Sequence, residues 1–364
     1  MTPCRKPCAA TVAADKAVFE FEAQTPGNIP MRDSGDHSPL RIGLIVIGLL
    51  LACTATLKAA EEPTAWRILP DDSDAIISAL ALRQDERRLV VGSDRGEVLV
   101  IDAADGSTLR RWTIPDAGRI HVLAFLDEKR VAVGDDEGRI TLWNFADGLL
   151  LETLTGHERW ITALVVSPDG KFLASGSYDR QVREWDLTVS PATSTVLFAH
   201  PAAVKCLDIS RDGQKLVAGG SDRAATVWDL ASRKPLVTLK GHTGAVRGCR
   251  FTPDSGTIVT AADDGTVRVW NAETGARQRT LSGQAVMVWC LDLSPDGRRI
   301  ASGGFDQTVC LWNIETGKRE SILRGPTAPV VNVIWSDAGE FLYVASEEQT
   351  LRRYLIQPET KATP

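Results

Sequence analysis

A tryptophan followed by aspartate or asparagine recurs through the chain at a nearly constant interval, and this repeat limits the fold more than any other feature. The pairs begin at Trp143, Trp185, Trp228, Trp270 and Trp312, with spacings of 42, 43, 42 and 42 residues. One interval earlier the chain reads Ile101-Asp102, and one interval later it reads Tyr354-Leu355. The sequence therefore contains seven copies of one unit, and the fold follows from how that unit stacks on itself.

A second marker keeps the same register. An aspartate recurs at intervals of 42 or 43 residues, at Asp85, Asp127, Asp169, Asp212, Asp254 and Asp296. Several of these lie in turn sequences such as Ser167-Pro168-Asp169-Gly170, where proline and glycine supply the turn dihedrals. Two independent markers in one register exclude a chance repeat.

The segments between these turns read as short strands. In the third copy they are Ile161–Ser167, Phe172–Ser177 and Gln181–Trp185, each bounded by glycine, proline or aspartate. A further strand at Leu149–Leu154 brings the number to four in each copy.

Four strands per repeat of about 40 to 45 residues, ending in Trp-Asp, resemble the WD-repeat family of β-propellers. The resemblance extends from Thr64 to Ile356. It implies an all-β fold, namely a seven-bladed β-propeller of four-stranded antiparallel blades. We also expect a bacterial, exported member of the family, for the reasons given below.

The seventh copy lacks an outer strand, because only ten residues follow Tyr354 and two of them are proline. Ala65–Leu69 lies two intervals before the outer strand at Leu149–Leu154. We predict that this segment pairs with the strand ending at Tyr354 and closes the ring.

The resemblance also implies a buried hydrogen-bonded tetrad of histidine, serine or threonine, aspartate and tryptophan. The matching residues are His157, Ser175, Asp179 and Trp185 in the third copy, and His242, Thr260, Asp264 and Trp270 in the fifth. Because the set recurs with the repeat, we interpret it as structural and not as a catalytic triad. Other copies depart from the pattern: Ala218 replaces the hydroxyl residue, Gln284 the histidine, and Arg95, Glu137 and Glu348 the aspartate.

One position on the expected innermost strand carries mostly small residues. Counted six residues before the turn aspartate, it holds Ala79, His121, Ala163, Cys206, Gly248, Cys290 and Asn332. We interpret Cys206 and Cys290 as inert packing thiols. His121 and Asn332 are the polar exceptions, and we expect them to contact the channel or a bound water. For His121, the alternative is a core histidine with its hydrogen bonds satisfied.

Composition excludes several classes of protein. The chain of 364 residues is 43% hydrophobic and 24% charged, which argues against disorder. Its net charge is −6 and it has no basic run, so we predict no nucleic-acid partner. The cysteines show no C-x-x-C spacing, and we predict no metal, no cofactor and no catalytic residue.

An apolar run at Ile42–Ala52 lies ahead of the repeats. Its length suits a signal peptide better than a membrane span of about 20 residues. We therefore divide the chain into residues 1–30 (a disordered extension or one upstream of the true start), 31–60 (signal peptide or membrane anchor), 61–357 (propeller) and 358–364 (tail). Cys53 is a candidate lipidation site, and we expect a periplasmic or extracellular protein attached to a membrane, if at all, through its amino terminus.

The resemblance implies that partner proteins or peptides bind the propeller face built from the loops before the first strand and between the second and third strands. Mapped onto this sequence, those loops contain Trp160, Tyr178, Arg180, Pro201, Ser221, Arg223, Thr243, Asp263, Met287, Phe305 and Gln307. We therefore expect a non-catalytic interaction scaffold. The alternatives are an enzyme with a site at the channel mouth and a structural component of the cell envelope.

Overall fold

Seven antiparallel sheets of four strands each make up the part of the chain that the computed structural model describes, which comprises residues 63–69, 74–83, 85–284 and 286–357. The predicted all-β, seven-bladed propeller is therefore confirmed. The described strands are β1 (Thr64–Arg67), β2 (Ile77–Leu82), β3 (Arg88–Ser93), β4 (Glu97–Asp102), β5 (Thr108–Thr113), β6 (Ile120–Phe125), β7 (Arg130–Asp135), β8 (Ile140–Asn144), β9 (Leu149–Leu154), β10 (Ile161–Val166), β11 (Phe172–Ser177), β12 (Gln181–Asp186), β13 (Thr193–Ala199), β14 (Val204–Ile209), β15 (Lys215–Gly220), β16 (Ala224–Asp229), β17 (Lys234–Lys240), β18 (Val246–Phe251), β19 (Thr257–Ala262), β20 (Thr266–Asn271), β21 (Arg277–Ser282), β22 (Val288–Leu293), β23 (Arg299–Gly304), β24 (Val309–Asn313), β25 (Arg319–Leu323), β26 (Val330–Trp335), β27 (Phe341–Ser346) and β28 (Thr350–Leu355).

Six blades are built from four consecutive strands, each pairing with the next from the innermost to the outermost. Blade 1 is β2–β5, blade 2 is β6–β9, blade 3 is β10–β13, blade 4 is β14–β17, blade 5 is β18–β21 and blade 6 is β22–β25. The sequence repeat is offset from the blade by one strand, so each repeat contributes the outer strand of one blade and the three inner strands of the next.

Blade 7 closes the ring with strands from both ends of the described chain. It contains β26, β27 and β28, and its outer strand is β1. Thr64 lies opposite Arg353, and Arg67 lies opposite Thr350. The predicted pairing of the early segment with the strand ending at Tyr354 is confirmed.

The core lies between neighbouring blades, and glycines on the second strand allow the close approach. A Cβ atom built on Gly176 would lie 2.5 Å from Cγ1 of Val204 on the next blade. One on Gly219 would lie 2.7 Å from Cγ1 of Val246. A larger residue at these positions would push the sheets apart, and close-packed cores do not accommodate such a change cheaply.

The structure corrects the predicted register of blade 2. Val122 lies opposite Gly134, as Ala163 lies opposite Gly176 in blade 3, so Val122 and not His121 occupies the small-residue position. The cause is the turn that follows. It is closed by the bond from Leu126 N to Arg130 O and is one residue shorter than the turn closed from Ser167 N to Phe172 O. Counting back from the aspartate therefore misplaces the strand by one residue.

The four cysteines of the described residues, Cys206, Cys249, Cys290 and Cys310, are buried and free. Burial raises the pKa of the Cys290 thiol to about 12 and also raises that of Cys249. Since the thiolate is the reactive form, these side chains act as packing groups.

Several predictions concern residues outside the described ranges. They are the extension at 1–30, the signal or anchor segment at 31–60, the lipidation site Cys53 and the tail at 358–364. Within the described ranges, no helix has the length and apolar character needed to span a membrane.

Candidate functional site

Two blades contain the hydrogen-bonded tetrad, in nearly the same geometry. In blade 3, Nδ1 of His157 lies 2.7 Å from Oδ2 of Asp179, and its Nε2 lies 2.7 Å from Oγ of Ser175. Nε1 of Trp185 donates to the same hydroxyl at 2.8 Å. In blade 5, the corresponding distances are 2.9, 2.7 and 2.8 Å, among the residues His242, Asp264, Thr260 and Trp270.

In the tetrad of blade 5, hydrogen bonds stabilise the ionised form of Asp264. Burial acts to raise the pKa of Asp264, but hydrogen bonds from Thr266, the Thr243 amide and His242 outweigh it and lower the pKa to about 2. Burial lowers the pKa of His242 despite its bond to that carboxylate. The tetrad therefore holds an ionised aspartate that fastens a strand-entry loop to the turn between the second and third strands.

Blade 4 keeps the histidine, aspartate and tryptophan of the tetrad but lacks the hydroxyl. With Ala218 in its place, the buried atoms His200 Nε2, Trp228 Nε1 and Asp222 Oδ1 have no hydrogen-bond partner among the described residues. Phe198 instead stacks on Trp228, with ring centroids 3.8 Å apart and planes inclined by 4°. Packing replaces hydrogen bonding in this blade.

We predict that Ala218→Ser stabilises the propeller. The new hydroxyl would meet both His200 Nε2 and Trp228 Nε1, and each hydrogen bond contributes about 0.5–1.5 kcal/mol. Thermal unfolding at matched protein concentration measures the gain. Ala261→Ser is the control, because Ala261 is equally buried but packs within a hydrophobic cluster; a gain of the same size there would contradict the explanation.

Blades 6 and 7 satisfy the equivalent groups with different residues. In blade 6, Ser302 accepts from Trp312 Nε1 at 2.8 Å and donates to Gln284 Oε1 at 2.6 Å. In blade 7, Glu348 accepts from Ser346 at 2.5 Å and from Thr327 at 2.7 Å. In these two blades, the departures from the family pattern are thus compensated locally.

The channel end of the innermost strands carries a second repeated position, one residue before the small-residue position. Its occupants are Ser78, His121, Thr162, Lys205, Arg247, Trp289 and Val331. Ser78 and Thr162 donate to the next blade's backbone, to Ile120 O at 2.6 Å and Val204 O at 2.7 Å. On blades 2 and 4 to 6 the position holds larger side chains, which line the central cavity of about 1340 Å³.

We call the six side chains His121, Trp160, Tyr178, Lys205, Arg247 and Trp289 the mouth ring, since all of them line this cavity. His121 stacks on Trp160 with centroids 5.2 Å apart, and Trp160 contacts Tyr178 at 4.9 Å. On the other side, Trp289 meets Phe305 edge to face at 5.6 Å.

The mouth ring contains two cations, Arg247 and Lys205, which have different partners. Arg247 donates from Nε to Oδ1 of Asp263 at 2.6 Å, and its guanidinium lies 5.9 Å from the Trp289 ring centroid. Lys205 places its ammonium 3.8 Å from the centroid of the Tyr178 ring and donates to the Tyr178 hydroxyl.

His121 adds no charge to the mouth ring near neutral pH. Burial, assisted by the nearby Arg119, lowers its pKa to about 4. Its Nε2 is buried and has no hydrogen-bond partner among the described residues. The imidazole therefore serves as a flat neutral surface against which Trp160 rests.

Backbone bonds hold the predicted partner-binding loops together in pairs. Tyr178 N donates to Trp160 O at 3.0 Å, and Phe305 N donates to Met287 O at 3.0 Å. Among the eleven predicted residues, Tyr178, Asp263 and Met287 are partly buried, while the exposed ones are Trp160, Arg180, Pro201, Ser221, Arg223, Thr243, Phe305 and Gln307.

The sequence pattern does not predict Lys205, Arg247 and Trp289 as site residues, and counting back from the turn aspartate assigns His121 to the wrong position of the repeat. One feature of the sequence does mark these residues. They occupy a position of the repeat where the residue type varies widely, directly before the position that holds mostly small residues. Such variation at a fixed structural position is typical of a surface that the fold does not constrain.

The opposite end of the cavity carries carboxylates that are bonded within the fold. Asp208 accepts from the Phe251 amide at 2.7 Å, and Asp292 accepts from the Trp335 amide at 2.9 Å and from Arg250 Nε at 3.2 Å. Burial raises the pKa of Asp208 to about 6, although Arg250 opposes this. Each of the two carboxylates bonds to the next blade. We therefore assign these residues a structural role. Among the described residues, no group of three or more His, Cys, Asp or Glu side chains is arranged to hold a metal ion.

Comparison with known proteins identifies the repeat. The model of the family described as "WD domain, G-beta repeat" matches residues 148–186, 192–229, 233–271 and 275–313. These four matches are consecutive, and each covers the outer strand of one blade and three strands of the next. The chain contains four consecutive WD repeats. The same architecture accommodates the three further copies in blades 1, 2 and 7, whose sequences have diverged most from the pattern.

Short stretches of this chain resemble fungal proteins. It is 45% identical over 49 residues to nuclear distribution protein PAC1 of Arthroderma benhamiae. It is 50% and 56% identical over 36 residues to nuclear distribution protein nudF 1 of Talaromyces marneffei and PAC1 of Tuber melanosporum. These matches cover 10–13% of this chain and 8–11% of the relatives.

The comparisons correct the predicted location. The relatives are fungal and are named nuclear distribution proteins. This contradicts the predicted export to the periplasm or beyond, and the prediction of a bacterial protein has no support from these relatives. The predicted export rested on the apolar run at Ile42–Ala52, and a run of that length occurs in several kinds of segment besides signal peptides. The inferred membrane attachment has no support from these relatives.

Proposed function

We propose that this protein is a non-catalytic interaction scaffold that binds a partner protein or peptide at the end of the propeller carrying the mouth ring. The observation that carries the proposal is the exposure of large aromatic side chains there. Trp160 is 45% exposed and lines the cavity of about 1340 Å³, and Phe305 is 47% exposed and contacts Trp289 of the mouth ring. Tryptophan, tyrosine and arginine are the residues that contribute most to binding energy at interfaces.

The rigidity of the surrounding structure supports the same function. The tetrads and the paired loop bonds fix the loops on strands that are buried on both faces. Preorganised loops lose little conformational entropy when a partner binds, which favours affinity. The opposite end of the cavity has no comparable exposed aromatic side chain in the described residues.

Alanine substitution tests this proposal. Trp160→Ala and Phe305→Ala should each reduce partner capture from a cell extract by about tenfold or more, because each removes a large side chain able to lose water on contact. Leu236→Ala is the matched control, since Leu236 is 52% exposed but lies on the outer strand of blade 4. Equal capture of the same proteins by all the variants would place the interface elsewhere.

A further inference from the structure

The aromatic corner of the mouth ring already contains a cation of its own. His121, Trp160 and Tyr178 form a continuous aromatic surface, and the Lys205 ammonium lies 3.8 Å from the Tyr178 ring centroid. An aromatic face attracts a cation within about 6 Å of its centroid. Because Lys205 occupies that position and also donates to the Tyr178 hydroxyl, this corner is not available to a lysine or arginine side chain of a ligand.

Lys205 lacks a counter-ion within the described part of the chain. None of the described carboxylates lies within ion-pair distance of its ammonium, and the neighbouring Asp263 is bonded to Arg247 at 2.6 Å. Burial lowers the pKa of Lys205, the hydrogen bond to Tyr178 opposes this shift, and the charge of Arg247 adds to it. Its polar contact among the described residues is the neutral Tyr178 hydroxyl. A partly buried cation without an opposite charge beside it is costly, and an incoming anion would relieve that cost.

The turns between the second and third strands of blades 3 and 4 each carry an exposed arginine. Arg180 on blade 3 and Arg223 on blade 4 have φ angles of 72° and 67°. Glycine occupies the same turn position in blades 1, 2 and 5. A non-glycine residue in this left-handed region costs roughly 1 kcal/mol or more. The acids of these loops are Glu158, Asp179 and Asp222, and Asp179 is held by His157.

We propose that the mouth ring binds an acidic side chain, aspartate or glutamate, of a peptide segment in the partner. This inference rests on the proposed function and specifies its ligand. The carboxylate pairs with the ammonium of Lys205, and an apolar neighbour in the peptide packs on the exposed face of Trp160. Arg180 and Arg223 attract the acidic segment during its approach.

Selection from a displayed library of random peptides tests the proposal with the full chain. Peptides that bind should be enriched in aspartate and glutamate, and replacing the acid by asparagine or glutamine should weaken binding by about 10- to 100-fold, as expected for a charge-assisted hydrogen bond. Lys205→Met, which keeps the aliphatic contact with Tyr178, should have a similar effect. Lys205→Arg should restore most of the affinity, because it restores the charge.

A lysine on another turn provides the control. Lys171 is exposed and lies in the turn between the first and second strands of blade 3, so Lys171→Met should leave peptide binding unchanged. A thermal unfolding midpoint equal to that of the wild type for each variant separates loss of binding from loss of folding.

The outcomes distinguish this inference from the proposed function. Peptides that lose affinity for the Trp160→Ala variant but lack an acid, or that are rich in lysine and arginine, would overturn the acidic ligand and leave the scaffold function intact. Tighter binding of a phosphoserine in place of the acid would overturn the carboxylate assignment. Peptides unaffected by Trp160→Ala, or a selection that yields none, would overturn the proposed function itself.

Discussion

Replacing both Ile68 and Leu69 by aspartate will leave the chain unable to form a stable propeller. These side chains are 4% and 2% exposed, directly after the closing strand β1. Loss of each buried side chain costs about 2–5 kcal/mol, and a buried carboxylate adds to this. The total free energy of unfolding of a domain is only about 5–15 kcal/mol. We expect loss of the cooperative thermal transition and visible aggregation.

Aggregation is expected because opening the ring exposes the edge of β28. In the intact protein, β1 pairs with that edge over four residues. The guanidinium carbon of Arg353 lies 5.0 Å from the centroid of the Trp66 ring. An unpaired edge offers free backbone groups to a second chain. Thr64→Asp is the control, since Thr64 is exposed on the same strand and should change stability by less than about 0.5 kcal/mol. A double variant that melts within a few degrees of the wild type would show that the ring does not depend on this closure.

The closure could be predicted from sequence because it follows from the offset between repeat and blade. Each copy begins with the outer strand of the preceding blade and continues with the three inner strands of the next. The first copy has no preceding blade, so its outer strand can only complete the last blade, which lacks one. The number of blades follows from the spacing of the tryptophans in the same way. Both inferences depend on chain connectivity and periodicity, which the sequence records directly.

The mouth ring could not be predicted to the same extent, because its residues do not repeat. Periodicity identifies positions that packing forces to be alike, such as Gly176 and Gly219. Lys205, Arg247 and Trp289 share one position of the repeat but differ in side-chain chemistry. A search for recurring residue types therefore does not identify them. Only the three-dimensional structure shows that they meet around one cavity.

The misplacement of His121 has a simpler cause. The turn after the first strand of blade 2 is one residue shorter than in blade 3, but the repeat keeps its length because another part of it is one residue longer. The recurring aspartate therefore keeps its interval and gives no sign of the shortened turn. In a strand, a shift by one residue moves every side chain to the opposite face. Of the two positions that the sequence leaves open for His121, the channel and the core, the structure shows the channel mouth, where the imidazole lies against Trp160.

Thr260→Val will be among the most destabilising single substitutions of similar size in the propeller. The Thr260 hydroxyl is fully buried, lies 2.7 Å from His242 Nε2 and accepts from Trp270 Nε1 at 2.8 Å. Valine fills the same space but leaves both nitrogens buried without a partner. Since each orphaned group costs about 1–3 kcal/mol, we expect a loss of roughly 2–5 kcal/mol in chemical denaturation.

Thr226→Val separates this effect from the general cost of the substitution. Thr226 is also buried, but its hydroxyl meets only the Thr238 hydroxyl, at 3.3 Å. Its replacement should therefore cost about 1 kcal/mol or less. Blade 4 shows that a blade can form without the tetrad hydroxyl, but there Phe198 stacks on Trp228 and blade 5 has no such ring on Trp270. Equal losses for the two variants would mean that the tetrad contributes no more than an ordinary buried hydroxyl, and the role assigned to His242 and Asp264 would then be wrong.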